Sequence, residues 1–449
     1  LRKEHAMTNL HVAKSKFKFV GICIISWTYL ISPFTAWSDD EVHFKKAISY
    51  TVEVTVHIEI PFIEDSQGFY EGAGFLVDKK RGWIVTNAHV ASKSPVEASV
   101  IFKDGDPILG KVLYVDPYLD LAIIEIPPET ISKDRFEATL KCDGMPKVGH
   151  PVGAFGHPWD FPYTGTKGII SGDTSHFGRH MLQTDAPINY GNSGGPLISL
   201  QTGKVVGINT MSVGADDDQN TNFAEPITYV CRVLELLKRG KDPSPVKITF
   251  NFLMDPFKGD TFIISNIYHK NDLIDIKIDD KILRVIGEDP IKNEGELVHA
   301  LRGKADNFSL DILRNGTQKM ISGKLETHDL ITKRKGILVS GMLISNRSMT
   351  RDDLVINLPK FNIHFIQPGS SAEKALINKE DYLESISGKA FHSLEGIYTF
   401  LKEQEGKEVK VKLSSFDGSD ESYYLTHYEH ILPIDDLILV GGVLEEKTK

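Results

Sequence analysis

The chain of 449 residues is long enough for two or three globular domains, and its 41% hydrophobic and 25% charged residues suit well-packed cores. This composition excludes disorder on a large scale. The formal net charge of −10, with no basic patch interleaved with aromatic residues, argues against a nucleic-acid binder, so we expect no nucleic-acid partner.

The first 38 residues have the pattern of a secretory signal peptide. Lysines precede an uncharged run over residues 19–38, and Ala36 and Ser38 place small residues before a cleavage site that follows Ser38. The run also approaches the roughly 20 residues that span a bilayer, so an uncleaved membrane anchor remains an alternative. Met7 is a candidate initiator, with residues 1–6 upstream of it. We expect a periplasmic or otherwise exported protein, or a membrane-anchored one if the segment is retained.

Two polar residues stand next to apolar strands in the first third of the chain. His89 lies near the end of the apolar segment Trp83–Val90. There it is either a catalytic base at the edge of a barrel or a satisfied core histidine. Asp120 enters another apolar strand, where a carboxylate is costly unless it is hydrogen-bonded. Asp116 competes with Asp120, but it precedes Pro117, and we predict that it is a solvated turn residue.

The cysteines and histidines indicate neither a disulfide framework nor a metal site. Cleavage after residue 38 leaves Cys142 in an inter-strand loop and Cys231 on an apolar helix, and we predict two free thiols. His176 and His180 are four residues apart, but their context is a turn that enters a strand. We expect no metal and no cofactor.

Ser193 lies in the glycine-dense segment Gly191–Leu197, where backbone amides can face a developing oxyanion. By itself this segment also fits a tight turn between strands. A nucleophilic serine needs a base and a group that orients the base, and His89 and Asp120 supply candidates upstream. The order His, Asp, Ser is that of chymotrypsin-like proteases.

The last part of the chain has a different texture. A helix is predicted over Ile227–Lys238, followed by a stop at Gly240 and a polar linker over residues 239–245. Beyond it, residues 280–287 match residues 381–388, with their final glycines 101 positions apart. In both copies a helical pattern (296–301 and 396–401) and then an alternating strand (308–314 and 409–413) follow.

These motifs together resemble the HtrA/Deg family of trypsin-like serine proteases with C-terminal PDZ domains. The resemblance covers about residues 47–238 and is carried by Gly72–Phe75, Thr86–Val90, Asp120–Ala122, Gly168–Ser171, Gln183–Leu197, Val206–Thr210 and Phe223–Ile227. It implies a mainly β fold, with a chymotrypsin-like double β-barrel protease domain over residues 39–240. Two PDZ-like α+β domains would follow over residues 246–328 and 336–445. Neither copy shows a clear glycine-rich carboxylate-binding loop.

The resemblance also implies roles for individual residues. Ser193 would attack the scissile carbonyl, His89 would move the proton, and Asp120 would hold the imidazole. The amides of Gly191 and Ser193 would form the oxyanion hole, with Asn192 shaping that loop.

Substrate preference follows from a second set of positions. Pro187 stands where trypsin has an acid, and Ile188 matches a family position lining the S1 pocket, which implies small or medium aliphatic P1 residues. The chain departs from the family at four positions, which bear on specificity and activation before catalysis: His157, Tyr190, Asn222 and Glu225.

The expected function is that of an exported serine endopeptidase that degrades unfolded or misfolded proteins. The resemblance implies a homotrimer or larger assembly and peptide capture by the PDZ-like domains. Two alternatives remain: a regulatory protease that cuts one signalling protein, and a non-proteolytic chaperone or peptide-binding scaffold.

Overall fold

The computed structural model describes residues 40–116, 118–157, 163–174, 180–212, 221–255, 259–267, 274–291, 293–347, 358–419 and 422–442. The predicted signal segment and His176 lie outside the described residues. Over these ranges the chain is mainly β, as predicted, with two closed barrels followed by two open sheets. No helix in the described part of the chain is long and apolar enough to cross a bilayer.

The first barrel has six antiparallel strands in the order β1-β2-β3-β6-β5-β4. They are β1 (Thr51–Ile58), β2 (Gly68–Asp78), β3 (Trp83–Thr86), β4 (Glu97–Phe102), β5 (Ile108–Asp116) and β6 (Leu121–Glu125). Strand β3 is buried along its whole length, because its side chains are almost all apolar. A one-turn helix, α2 (Ala88–Ala91), follows β3 and carries His89. The apolar strand therefore delivers His89 to the rim of the barrel.

The second barrel closes in the order β10-β11-β12-β9-β8-β7. Its strands are β7 (Pro151–Gly156), β8 (Thr164–Thr174), β9 (Met181–Thr184), β10 (Pro196–Ser199), β11 (Val205–Ser212) and β12 (Asn222–Pro226). Helix α1 (Asp40–Tyr50) precedes the first barrel and contacts strands β2 and β7, so it packs against both barrels. Helix α3 (Ile227–Lys238) has the predicted bounds, and Gly240 follows with a φ of 66°.

Cys142 and Cys231 form a disulfide, so the prediction of two free thiols is wrong. Their Cα atoms are 5.9 Å apart although 89 positions separate them in the sequence. The Lys141 amide donates to the carbonyl of Val205, which places the loop that carries Cys142 on strand β11. Helix α3 packs on the same strand, so the two cysteines meet. Their proximity depends on pairing between distant segments, which local sequence context does not reveal.

We expect the double substitution Cys142→Ser and Cys231→Ser to lower the free energy of unfolding by about 2–4 kcal/mol, because the disulfide restricts the unfolded chain. Urea unfolding with and without a reductant measures this change. The reductant should destabilise the wild type and leave the double variant unaffected. Equal sensitivity of both proteins to the reductant would contradict the prediction.

Two open sheets follow the barrels. The first C-terminal module (residues 246–328) is a five-stranded sheet with strands β13 (Phe250–Asp255), β14 (Gly259–Ile267), β15 (Lys281–Val285), β16 (Phe308–Arg314) and β17 (Thr317–Gly323), and with helix α4 (Glu294–Leu301). The second C-terminal module (residues 336–442) is a seven-stranded sheet. Its elements are strands β18 (Gly336–Val339), β19 (Met342–Asn346), β20 (Phe361–Ile366), β21 (Tyr382–Ile386), β22 (Glu408–Ser419), β23 (Ser422–Pro433) and β24 (Ile438–Val440), and helices α5 (Ser371–Lys374) and α6 (Leu394–Glu403). Short 3₁₀ turns lie at Pro128–Thr130 and Ile331–Lys333.

The first C-terminal module is held against the barrels by polar contacts. Arg232 of helix α3 pairs with Glu288 at 3.0 Å and donates to the carbonyls of Ala300 and Arg302 at the end of helix α4. The ring of His299 lies 4.4 Å from the ring of Tyr229. The end of α4 is therefore anchored on α3.

The second C-terminal module contacts the loop between β1 and β2. The Ile63 amide donates to His364 Nδ1 at 3.2 Å, and Arg334, which lies just before the module, donates to both carboxylate oxygens of Glu64. The side chain of Phe62 is completely buried in a cluster that includes Leu338 and Leu343. Each C-terminal module thus docks on the protease half at its own place.

Candidate active site

His89 and Asp120 are brought together by the ends of strands β3 and β6. The carbonyl of Asp120 accepts hydrogen bonds from the Ala88 amide at 3.0 Å and from Asn87 Nδ2 at 2.9 Å. These bonds join the start of helix α2 to the residue that precedes β6. Asp120 has a φ of 46°, a region that Asp visits more readily than most side chains. The local structure thus aims its carboxylate at helix α2.

The carboxylate of Asp120 holds His89 at two atoms. His89 Nδ1 lies 2.8 Å from Asp120 Oδ2, and the His89 amide donates to Oδ1 at 3.0 Å. The Thr210 hydroxyl donates to Oδ2 at 2.8 Å. Burial by itself raises the pKa of Asp120, but the bonds from His89 and Thr210 outweigh it and hold the pKa below its usual value. Asp120 is therefore a carboxylate that orients the imidazole and leaves Nε2 free for a second partner.

Ser193 lies in a turn that requires glycine at the two positions after it. A Cβ on Gly194, whose φ is 85°, would lie 2.1 Å from the carbonyl oxygen of Ala73. A Cβ on Gly195 would lie 2.1 Å from the carbonyl oxygen of Phe155. The backbone therefore approaches both barrels closely at this point. The Ala73 amide fixes the turn by donating to the Ser193 carbonyl at 2.8 Å.

Thr210 connects the serine to the His89–Asp120 pair. The Ser193 hydroxyl donates to the Thr210 carbonyl at 3.1 Å, while the Thr210 side chain donates to Asp120. A hydroxyl has one proton, so Ser193 must turn from this carbonyl toward the imidazole before His89 can accept that proton. Sequence reasoning assigned no role to Thr210. Its motif lay within a matching segment, but its contact with Asp120 depends on the packing of the two barrels.

The amides of Gly191 and Ser193 are available to an oxyanion. Among the described residues, neither amide has a hydrogen-bond acceptor, whereas the Asn192 amide donates to the carbonyl of Asn189 at 2.9 Å. The His157 amide donates to the Gly191 carbonyl at 3.0 Å, which joins this loop to the residue after strand β7. The side chain of Asn192 is completely buried. The amides of Gly191 and Ser193, which flank Asn192, remain as candidate donors to an oxyanion.

Asp116 is completely buried, so the prediction of a solvated turn residue is wrong. Its Oδ1 accepts from the amides of Tyr118 and Leu119, and its Oδ2 accepts from the Tyr114 hydroxyl and from Arg302 of the first C-terminal module. The arginine is distant in sequence, so the local context of Asp116 could not indicate this partner. The carboxylate of Asp116 therefore binds these partners rather than His89.

Residues 72–208, which contain His89, Asp120 and Ser193, match the family model of the trypsin-like peptidase domain. A probable periplasmic serine endoprotease, DegP-like, of Buchnera aphidicola subsp. Baizongia pistaciae is 29% identical over 384 residues, which are 79% of this chain and 78% of the relative. The Do-like serine protease HtrA of Bacillus subtilis is 34% identical over 188 residues, which are 39% of this chain and 41% of the relative. Over residues 72–208 the chain contains a trypsin-like peptidase domain, and the relatives that it resembles are serine endoproteases of the HtrA/Deg type.

A solved structure shares the fold of the aligned part of this chain. The HtrA-type protease AlgW with a decapeptide aligns with a TM-score of 0.50 at 20% identity and covers 65% of this chain and 99% of that chain. At this identity the likeness concerns the fold alone. It agrees with the double barrel predicted for a chymotrypsin-like protease.

The predicted pocket residue Ile188 lies on the wall of the second barrel. Its side chain is buried among apolar residues that include Leu182 and Ala224. Its amide donates to Asn222 Oδ1 at 3.4 Å, so one of the positions that departs from the family lies beside it. The Pro187 carbonyl accepts from the Thr166 hydroxyl at 2.7 Å. The neighbours of Ile188 named here are thus apolar or neutral polar groups.

His157, another position that departs from the family, contacts the loop that carries Gly191. Burial lowers the pKa of His157 to about 4, and its ring stands edge-on to Tyr163 at 4.3 Å. The imidazole is therefore neutral near pH 7 and places no positive charge beside Gly191. The contact of His157 with the Gly191 segment is made by its backbone amide.

Proposed function

We propose that the protein is an exported endopeptidase that degrades unfolded or misfolded polypeptides through an acyl-enzyme on Ser193. The observation that carries the proposal is the chain of hydrogen bonds His89–Asp120–Thr210–Ser193 beside two available amides. This arrangement combines a nucleophile, a base, an orienting carboxylate and candidate oxyanion donors.

Each residue has a step in this mechanism. Ser193 rotates from the Thr210 carbonyl to His89 Nε2 and attacks the scissile carbonyl as His89 takes its proton. The Gly191 and Ser193 amides stabilise the oxyanion, each contributing about 3–4 kcal/mol to the transition state. His89 then donates the proton to the leaving amine. In the second half of the reaction, His89 takes a proton from the attacking water and returns it to the Ser193 oxygen as the acyl-enzyme is hydrolysed. Asp120 holds the imidazole throughout and stabilises its charged form.

Three observations support export. Residues 1–38 have the pattern of a signal peptide, a relative is named as periplasmic, and Cys142 and Cys231 form a disulfide. Disulfides persist in oxidising compartments such as the bacterial periplasm. Mass spectrometry of the exported protein tests the proposal, because removal of residues 1–38 leaves a mature chain that begins at Asp39.

The substrate class is tested by comparing one protein in its denatured and native forms. The proposed protease should degrade the denatured form and spare the native one. A regulatory protease would leave both largely intact, and a scaffold without proteolytic activity would cut neither form. Labelling of Ser193 by a fluorophosphonate separates the last two outcomes.

We expect peptides with Val, Ala or Ile at P1 to be cleaved at least about 100-fold more efficiently than peptides with Lys or Arg. A basic side chain would lose its hydration near Ile188 without gaining an opposite charge. Cleavage sites mapped in an unfolded casein-like substrate and kcat/KM values for matched peptides measure the preference. A map dominated by Lys and Arg would overturn it and direct attention to the buried Glu225.

The two C-terminal modules are proposed to be PDZ-like domains over residues 246–328 and 336–445, with an open groove only in the first. Among the described residues, strand β13 pairs with β14 alone and lies at the end of its sheet, so its other edge can accept an added peptide strand. In the second module the strand that corresponds to β13 is β19. Strand β19 is paired with β18 and with β20, and helix α6 contacts β18. A homotrimer or larger assembly is part of the same proposal and rests on the family resemblance.

We expect an unfolded polypeptide bound to the full chain with Ser193→Ala to protect backbone amides of β13 from hydrogen exchange. Added strands use main-chain hydrogen bonds, so the protection should concentrate on the edge strand. Amides of β18 and β19 serve as the internal control and should not change. Equal protection of both modules would contradict the assignment of capture to the first.

A further inference from the structure

A buried ion pair joins the first C-terminal module to the turn before Asp120. Arg302, at the end of helix α4, donates through Nη1 to Asp116 Oδ2 and, at 2.7 Å, to the carbonyl of Pro243. Both side chains of the pair are 0% exposed. A side chain of the C-terminal half is thus part of the interior beside the first barrel.

Asp116 in turn organises the residues that lead to Asp120. Its Oδ1 accepts from the Tyr118 amide at 2.9 Å and from the Leu119 amide at 3.0 Å. Its Oδ2 is held by Arg302 and, at 2.7 Å, by the Tyr114 hydroxyl, so the carboxylate cannot rotate freely. The next residue after these two amides is Asp120, which has a positive φ. The orientation of the Asp116 carboxylate therefore sets the backbone conformation of the residues that lead to Asp120.

Stability alone does not account for this pair. Burying two charges costs more free energy than their attraction usually returns. Among the described residues, Nε and Nη2 of Arg302 are also buried without a hydrogen-bond partner, which adds to the cost. Docking of the module is already served by Arg232, which pairs with Glu288 and binds the end of helix α4. A costly pair at this place is best explained by the geometry that it imposes.

We propose that Arg302 is a positioning residue for catalysis. Acting through Asp116, it holds the turn from 116 to 120 in the conformation in which Asp120 orients His89. The protease half then has its full rate only while Arg302 is held against Asp116. The proposal rests on the proposed function, in which Asp120 is the carboxylate that orients His89.

Kinetics of the full chain test the proposal through a matched pair of variants. Arg302→Met should lower kcat on a short peptide by about 10- to 100-fold and change KM by less than about 2-fold. A small misplacement of Asp120 slows the chemical step without altering substrate binding. Arg232→Met weakens the same docking surface without touching Asp116, and both constants should stay within about 2-fold of the wild type. Equal kcat values for the wild type and Arg302→Met would overturn the proposal, and so would an equal loss in both variants.

A second variant guards against misfolding of Arg302→Met, which leaves the Asp116 charge buried alone. The double substitution Asp116→Leu and Arg302→Met removes both charges, so it should fold. It also removes the acceptor for the turn amides, so its kcat should remain as low as that of Arg302→Met. A kcat like that of the wild type would contradict the positioning role.

A spectroscopic readout separates this proposal from the proposed function. The proton between His89 Nδ1 and Asp120 gives a downfield nuclear magnetic resonance signal, which Asp120→Asn identifies by removing it. The signal should shift or broaden in Arg302→Met and stay unchanged in Arg232→Met. An unchanged signal in Arg302→Met overturns the positioning role whatever the activity. A responsive signal in a protein that cleaves nothing would instead reject the proposed function and keep the positioning role.

Discussion

Replacing Ser193 by alanine should lower cleavage of an unfolded substrate by about 10⁴-fold or more, because the nucleophile and His89 act as a unit. The free energy of unfolding should change by less than about 0.5 kcal/mol, since the Ser193 hydroxyl makes one hydrogen bond, to the Thr210 carbonyl. Initial rates of peptide release and urea unfolding measure the two quantities.

Ser171→Ala is the matched control for this substitution. Ser171 is an exposed serine on strand β8, so its loss should leave both the rate and the stability unchanged. A rate near that of the wild type in Ser193→Ala would show that another residue is the nucleophile. A loss of rate together with unfolding would point to a structural role of the turn.

Asp120→Asn should lower kcat by about 10⁴-fold near pH 7, as in other Ser-His-Asp sites. The carboxylate accepts from His89 at two atoms, whereas an amide can donate to Nδ1 and thereby favour the wrong imidazole tautomer. The pKa of Asp120 lies below its usual value, so its carboxylate is fully ionised over the neutral range. The loss should therefore be present throughout the range from about pH 6 to pH 8.

The comparison variant is Asp106→Asn, which changes an exposed aspartate in the loop between β4 and β5. Its kcat should equal that of the wild type at every pH. A loss of less than about 10-fold in Asp120→Asn would remove this residue from the catalytic set. Steady-state kinetics across the pH range, with active sites titrated, provide the measurement.

Features that depend on neighbouring residues were predictable from the sequence. Helix α3 has the bounds that its apolar face and Gly240 indicated. The strand predicted over 308–314 is β16, and the helical patterns at 296–301 and 396–401 lie within α4 and α6. Periodicity and helix-stop signals act within a few residues of one another, so a linear pattern records them.

The candidate site was predictable for a related reason. His89, Asp120 and Ser193 each lie in a short motif whose backbone form is locally determined, such as the glycine-dense turn around Ser193. The order of the three motifs indicated one protease class. Thr210 was missed because a threonine in a strand has no local mark of a contact with Asp120.

Sequence patterns were enough to predict helix α3, the helical segments within α4 and α6 and strand β16, because these depend on residues close together in the chain. The tertiary structure decided that Cys142 and Cys231 form a disulfide, that Asp116 is buried against Arg302 and that Thr210 joins Ser193 to Asp120. Each of these contacts joins segments that are far apart in the chain. Burial of the barrels and docking of the modules bring those segments together, and the free energy of that packing is a property of the whole fold that no short stretch of sequence contains.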